Sequence, residues 1–252
     1  MLFRSIAVSA GRLHTCALLA DSTVRCWGYN GNGQLGDNTV IQRSTSVPVS
    51  GLSTVTTISA GYAHTCAVLG NGTGRCWGNN GNGQLGDGTI TQRLTPVAVS
   101  GLASAVGITA AIQGSYTCAL LSNGTASCWG LNSNNQLGDG TVTQRLTPVA
   151  VSGLTTAVQL SAGDLHTCAR LSDNSMKCWG YNGNGQLGDG TQTQRSTATA
   201  VLGMSTSSSI GAGFRFTCSM LTDGTAKCWG SNGNGQLGNE TTIQSINPVS
   251  VV

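Results

Sequence analysis

The sequence predicts an all-β chain: a β-propeller of four-stranded antiparallel blades, in five repeats of about 50 residues. One stretch is written five times, and its second copy reads AGYAHTCAVLGNGTGRCWGNNGNGQLGDGT, from Ala60 to Thr89. A period of this length over the whole chain marks a repeat architecture. Each copy holds four short segments of strand formers bounded by Gly, Asn, Ser or Pro. No window shows helical periodicity with start and stop signals. Four short strands per repeated unit is the plan of a propeller blade.

The repeats run 6–52, 53–102, 103–154, 155–204 and 205–252, within one propeller domain over 1–252. First-Cys spacings are 50, 52, 50 and 50, and the two extra residues, in AAIQGSYTC, read as a longer loop. Residues 1–5 read as extraneous, and NPVSVV stops where earlier copies continue, so both ends are expected to be cut. In copy two the strands are expected at Thr56–Ala60, His64–Leu69, Thr73–Gly78 and about Pro96–Val99.

The hairpin between strands two and three can be registered from its turn. Gly or Asn stands at the third loop position in four copies, and Ser22 is the exception. That suits a three-residue loop closed by a left-handed residue. Counting outward, Cys66 faces Cys76 at a non-hydrogen-bonded site, where the Cα atoms are close and the side chains share a face. His64 then faces Gly78, which reads as a ring packed over a glycine, and Thr65 faces Trp77 on the other face.

The same register pairs Cys16 with Cys26, Cys118 with Cys128, Cys168 with Cys178, and Cys218 with Cys228. These pairs read as disulfides, because zinc sites use closer ligand pairs such as C-x-x-C, and none is present. Each closes a loop worth at most about 2.7 kcal/mol by chain entropy. The implied compartment is oxidising: extracellular, cell-surface or periplasmic.

The composition narrows the partners. The net charge is +3 and no Lys/Arg run exists, so neither nucleic acid nor an anionic membrane is implied. No apolar run reaches the roughly 20 residues of a membrane span. Polarity comes from Asn, Ser, Thr and Gln, with 37 Gly, which is a turn-rich β composition.

The remaining motifs read as structural. Trp27, Trp77, Trp129, Trp179 and Trp229 recur in every copy. His14, His64 and His166 read as packing residues, because Tyr116 and Phe216 take the same place in the other copies and Phe can be neither ligand nor base. The loop from Asn30 to Asp37 offers essentially one carboxylate, so it reads as ordered by Gly turns and Asn/Gln hydrogen bonds rather than by calcium. Arg43, Arg93, Arg145 and Arg195 read as clamps on carbonyls or on the nearby Asp. Arg170 either snorkels along a blade face or marks a local site. Asn71, Asn123 and Asn239 match short glycosylation patterns. No nucleophile elbow, phosphate loop or paired carboxylates occur.

The order His-Thr-Cys-Ala-Leu, Asp/Asn-Gly-Thr, Cys-Trp-Gly and Asn-x-x-Gly-Gln-Leu-Gly resembles the repeats of the regulator of chromosome condensation family, across nearly the whole chain. The resemblance implies a seven-bladed propeller, so five copies form either a five-bladed ring or an incomplete arc, and the frayed ends favour the arc. The paired cysteines resemble a secreted, bacterial-type propeller. The family's namesake is an exchange factor for a small GTPase, but the basic tail and insertions behind that activity are missing here.

The expected function is a non-enzymatic, secreted or surface-exposed scaffold. It is expected to act as a monomer without cofactor or metal, and to bind a protein or glycan through rim loops. Candidate contacts are Tyr62, Asn79, Asn82, Arg93, Gln113, Asp164, Tyr181 and Arg215. The alternatives are GTPase exchange and a glycan-active enzyme, for which Asp164, Asp173 and Asp189 are the best acidic group.

Overall fold

The computed structural model describes residues 4–252. Among them every regular element is a strand: five four-stranded antiparallel sheets, each with its strands in chain order. The fourth strand of each repeat therefore joins its own sheet. Of the five residues read as extraneous, 1–3 lie outside the described residues, and Ser5 opens the first strand, Ser5–Ala10. The chain divides into two compact units. One is Met1–Ser122 with Cys128–Leu131 and Gln144–Val149; the other is Asn123–Ser127 with Asn132–Thr143 and Ala150–Val252.

The second repeat shows why these residues form these strands. Its strands are Val55–Ala60, His64–Leu69, Gly74–Gly78 and Arg93–Ala98. The hairpin closes as its turn residues require: Leu69 N–H donates to Thr73 O and Gly72 N–H to Leu69 O, both at 2.9 Å. The third loop residue is left-handed in all five copies, including Ser22 at φ 63°. Cys66 pairs with Cys76, His64 with Gly78 and Thr65 with Trp77. All five cysteine pairs are bonded, with Cα atoms 4.0 to 4.1 Å apart.

The fourth strand differs from expectation. It begins at Arg93, three residues before Pro96, because Arg93 pairs with Gly78 across a register shift between Cys76 and Gly78. Pro96 is tolerated because this is an edge strand.

The cores lie between successive sheets. In the first unit one cluster joins Cys16, Leu18, Val24, Cys26 and Leu35 to Val55, Ile58, Ala67 and Trp77 of the next repeat. A second joins Cys66, Val68, Cys76 and Leu85 to Ala105, Ala119 and Trp129. In the second unit Cys168, Met176, Cys178 and Leu187 meet Ile210, Leu221 and Trp229. A single sheet this small buries too little to stand alone, so each core needs the neighbouring repeat.

Candidate binding site on the rim loops

Antiparallel order brings two connections to the same end of each sheet: the turn between strands one and two, and the long loop between strands three and four. The long loop is built around one asparagine. Asn30 Nδ2 donates to Asp37 Oδ1 and Thr39 O, each at 3.0 Å, and to Ile41 O at 3.2 Å. Its Oδ1 accepts Leu35 N–H at 2.9 Å. Asn80 and Asn182 make the same set. Asp37 Oδ1 also accepts Thr39 N–H at 3.1 Å and its Oδ2 accepts Arg43 Nε–H at 3.0 Å, so both carboxylate oxygens are engaged within the fold.

Arg43 bonds Asp37 at 2.9 Å, Arg93 bonds Asp87 at 2.7 Å, and Arg195 bonds Asp189 at 2.7 Å. Burial alone would raise the Asp87 carboxyl. Hydrogen bonds from Thr89, Arg93 and Asn80 outweigh it and hold the carboxyl below its ordinary value. The fifth repeat replaces both partners at once, with Asn239 and Ser245 in place of acid and base. Arg93 is therefore a strand residue whose side chain is tied to its own loop.

A longer-range clasp joins consecutive repeats. Trp77 Nε1–H donates to Gln34 O at 2.9 Å, and Thr65 Oγ1–H donates to the same oxygen at 2.9 Å. Trp129 and Thr117 do this to Gln84, Trp179 and Thr167 to Gln136, and Trp229 and Thr217 to Gln186. The motif Gln-Leu-Gly follows from this geometry. Gln offers the carbonyl, Leu enters the core, and Gly36 lies where a Cβ would come 2.8 Å from Trp77 Nε1, at φ +70°. Trp77, Trp129, Trp179 and Trp229 are fully buried. Trp27 is only half-buried, and its indole N–H has no acceptor among the described residues.

The histidines complete the clasp. His14 Nε2 meets Thr65 Oγ1 at 2.8 Å, His64 meets Thr117 at 2.9 Å, and His166 meets Thr217 at 2.9 Å. The threonine hydroxyl proton already goes to the Gln carbonyl, so the imidazole Nε2 must donate. These rings are neutral in the fold. Burial lowers His14 and His166 to about 4; burial and then the nearby His14 lower His64 to about 3. The glycine beneath each ring is not its cross-strand partner. A Cβ on Gly61 would lie 2.7 Å from His64 Cε1, whereas one on Gly78 would strike Ala63 O at 2.6 Å.

The other rim candidates divide. Asn79 is engaged internally: its Oδ1 accepts Gln84 Nε2 at 2.6 Å, and its amide donates to Asn32 at 3.3 Å. Asn82 N–H donates to Gln84 Oε1 at 2.9 Å. Asp164 is buried; burial raises its carboxyl and the nearby Arg215 opposes that. Tyr62 and Gln113 are exposed and Tyr181 is half-buried. Arg215 lies 4.8 Å from the Phe214 ring centroid and 5.9 Å from that of Tyr181. Arg170 reaches along its sheet to Asn174 at 3.1 Å.

Sequence reasoning missed Arg12 and Tyr29. With Leu13, Asn32, Gln34, Tyr62 and Ala63 they line a cavity of about 220 Å³ in the first unit. The available signal was that neither residue type repeats at its position in every copy. Among the described residues no group of three His, Cys, Asp or Glu side chains is placed to hold a metal. Among the same residues no helix is long and apolar enough to cross a membrane.

Four-stranded antiparallel sheets repeated five times, with Trp-on-Gln clasps between successive repeats, define a propeller-type repeat protein. The profile of the RCC1-like domain matches residues 3–252, and the chain belongs to that family. Human WBSCR16 shares the fold with TM-score 0.86 at 22% identity, over 99% of this chain and 67% of that one. Yeast RCC1 (Prp20), solved bound to Kap60, gives 0.87 at 19% identity, over 98% and 61%. The CRINKLY WD40 ectodomain of the Arabidopsis thaliana receptor kinase ACR4 gives 0.53 at 21% identity, over 90% and 65%. This chain thus spans 61% to 67% of the length of these solved chains. No curated protein matches the sequence.

Proposed function

We propose that the protein is a non-enzymatic binding scaffold, extracellular or on a cell surface, that acts as a monomer and recognises a protein or glycan through its rim loops. One observation carries this reading. The side chains common to most copies, such as Asn30, Asp37, Arg43, Trp77 and His64, are engaged in hydrogen bonds within the fold. The exposed or half-buried rim positions, such as Tyr62, Gln113 and Tyr181, are those that change from copy to copy. A constant frame with variable loops is how a scaffold presents a recognition surface. Five disulfides support an oxidising habitat. Protein binding has precedent in yeast RCC1, solved with Kap60, and in Prp20p, described with Gsp1p and histones.

The test compares the wild type with a variant carrying Tyr62→Ala, Gln113→Ala, Tyr181→Ala and Arg215→Ala on arrays of glycans and extracellular proteins. The expected result is binding lost with the folded state retained by circular dichroism, at a somewhat lower melting midpoint because Arg215→Ala removes the charge beside the buried Asp164. Binding that survives the four changes would overturn the reading, as would accelerated nucleotide release from a small GTPase by the oxidised protein.

A further inference from the structure

We propose that the cavity between Arg12, Tyr29, Tyr62 and Gln34 binds an acidic sugar residue, a hexuronate carried in a larger glycan. This rests on the scaffold reading and narrows it to one ligand class and one site.

The first support is an amide left open. Gln34 is 1% exposed and lines the cavity, and among the described residues its Nε2 has no hydrogen-bond partner. Its Oε1 is occupied by Asn32 N–H at 2.9 Å. In the second repeat the equivalent Gln84 Nε2 donates to Asn79 Oδ1. Tyr29 stands where Asn79 would be and supplies no such acceptor. A buried donor without a partner is costly, and an oxygen from a ligand would relieve it. Gln136 and Gln186 in the second unit also leave this amide open, so the open donor alone does not select the ligand.

The walls and the charge select it. Tyr29 folds back over Gly31, where a Cβ would lie 2.2 Å from the phenol oxygen. Tyr29 and Tyr62 remain 41% and 37% exposed. Tyrosine pairs an apolar ring face with a polar tip, which suits the C–H face and hydroxyls of a pyranose. Arg12 lies over the Tyr62 ring, 4.6 Å from its centroid, and donates to the Tyr62 hydroxyl. It makes no ion pair among the described residues, and no carboxylate lines the cavity. A guanidinium that meets a phenol but no carboxylate keeps N–H donors for two-point binding of a ligand carboxylate.

The second unit offers a contrast. There the charge of Arg215 acts on the buried Asp164 carboxyl, so that guanidinium already has an acidic neighbour. Size argues further. At about 220 Å³ the cavity is smaller than the usual drug-sized site, and it fits one ring better than a folded peptide segment.

The test is calorimetric titration of the oxidised protein with trigalacturonate, trimannuronate, neutral galactotriose and a triaspartate peptide. At least one hexuronate trimer is expected to bind tenfold or more tightly than galactotriose. Arg12→Gln should abolish that difference. Gly31→Ala, which displaces the Tyr29 ring, should weaken acidic and neutral sugars together, and Tyr181→Ala should leave all of them unchanged. Equal affinity for acidic and neutral trimers, no binding of either hexuronate, an ineffective Arg12→Gln, or a triaspartate peptide bound as tightly would each overturn the proposal. If these titrations fail while array binding still depends on Tyr181 and Arg215, the hexuronate site falls and the scaffold stands. If array binding ignores the rim, the scaffold falls first.

Discussion

Lowering the pH from 7 to 5 is expected to destabilise the protein through its three histidines, and His64→Phe is expected to remove a defined share of that loss. Each ring is buried and neutral, with pKa about 4, 3 and 4 for His14, His64 and His166 against an ordinary 6.5. The unfolded chain therefore binds the proton more tightly than the folded one. Stability is full above the unfolded value and falls as the pH drops below it, down to the folded value. At pH 5 the linkage costs about 2 kcal/mol per histidine, and His14 and His64 share the first unit.

The carboxyls of Asp37, Asp87 and Asp189 are held below the ordinary 3.8, so they stay ionised in this window. Asp164, raised by burial, acts in the opposite sense, and comparison with the variant cancels it. Phe already fills this place as Phe216. His64→Phe loses one hydrogen bond to Thr117, about 1 kcal/mol at neutral pH. Thermal unfolding followed by circular dichroism reads the effect. The drop in Tm between pH 7 and 5 should be smaller in the variant by roughly 4 to 8 °C. Parallel pH profiles for the two proteins, or a Tm indifferent to pH over this range, would refute the neutral, buried imidazole.

Three further outcomes follow from the same geometry. Trp77→Phe removes the indole donor to Gln34 and should cost roughly 2–3 kcal/mol, whereas Trp27→Phe, with no such bond, should cost less than about 1 kcal/mol in denaturant unfolding. Arg93→Ser strands the buried Asp87 carboxylate and should cost about 2 kcal/mol, and adding Asp87→Asn, which recreates the fifth repeat's pairing, should recover part of it. A double-mutant cycle showing no coupling would deny the clamp. Ser22→Gly should stabilise by about 1 kcal/mol, because Ser22 sits at φ 63° where the other hairpins carry Gly or Asn; a neutral or destabilising result in calorimetry would contradict the strain argument.

The legible part of the structure was local. The turn Gly70-Asn71-Gly72 fixed the pairing of Cys66 with Cys76, because the partners are ten residues apart and one turn geometry connects them. The same reasoning placed His64 opposite Gly78 but chose the wrong glycine as the floor for its ring. Gly61 does that work, and register alone does not say how far a ring leans along its strand. The fourth strand was read late because Thr91, Gln92 and Arg93 look like loop residues until Gly78 pairs with Arg93 and Asp87 holds its side chain.

The amino-acid order by itself determined the repeat, the β class, the hairpin register and the sulfur pairs, since all of these depend on residues close along the chain. The tertiary structure decided that Trp77, Trp129, Trp179 and Trp229 each rest on the Gln-Leu-Gly of the repeat before, 43 to 45 residues away. It also decided that Arg12, Tyr29 and Tyr62 meet around an open amide. Near-identical copies carry near-identical letters, so spacing cannot tell a bond within one repeat from a bond to the next. Only the stacking of sheet on sheet, driven by the apolar area that each sheet leaves uncovered, settles which side chains meet.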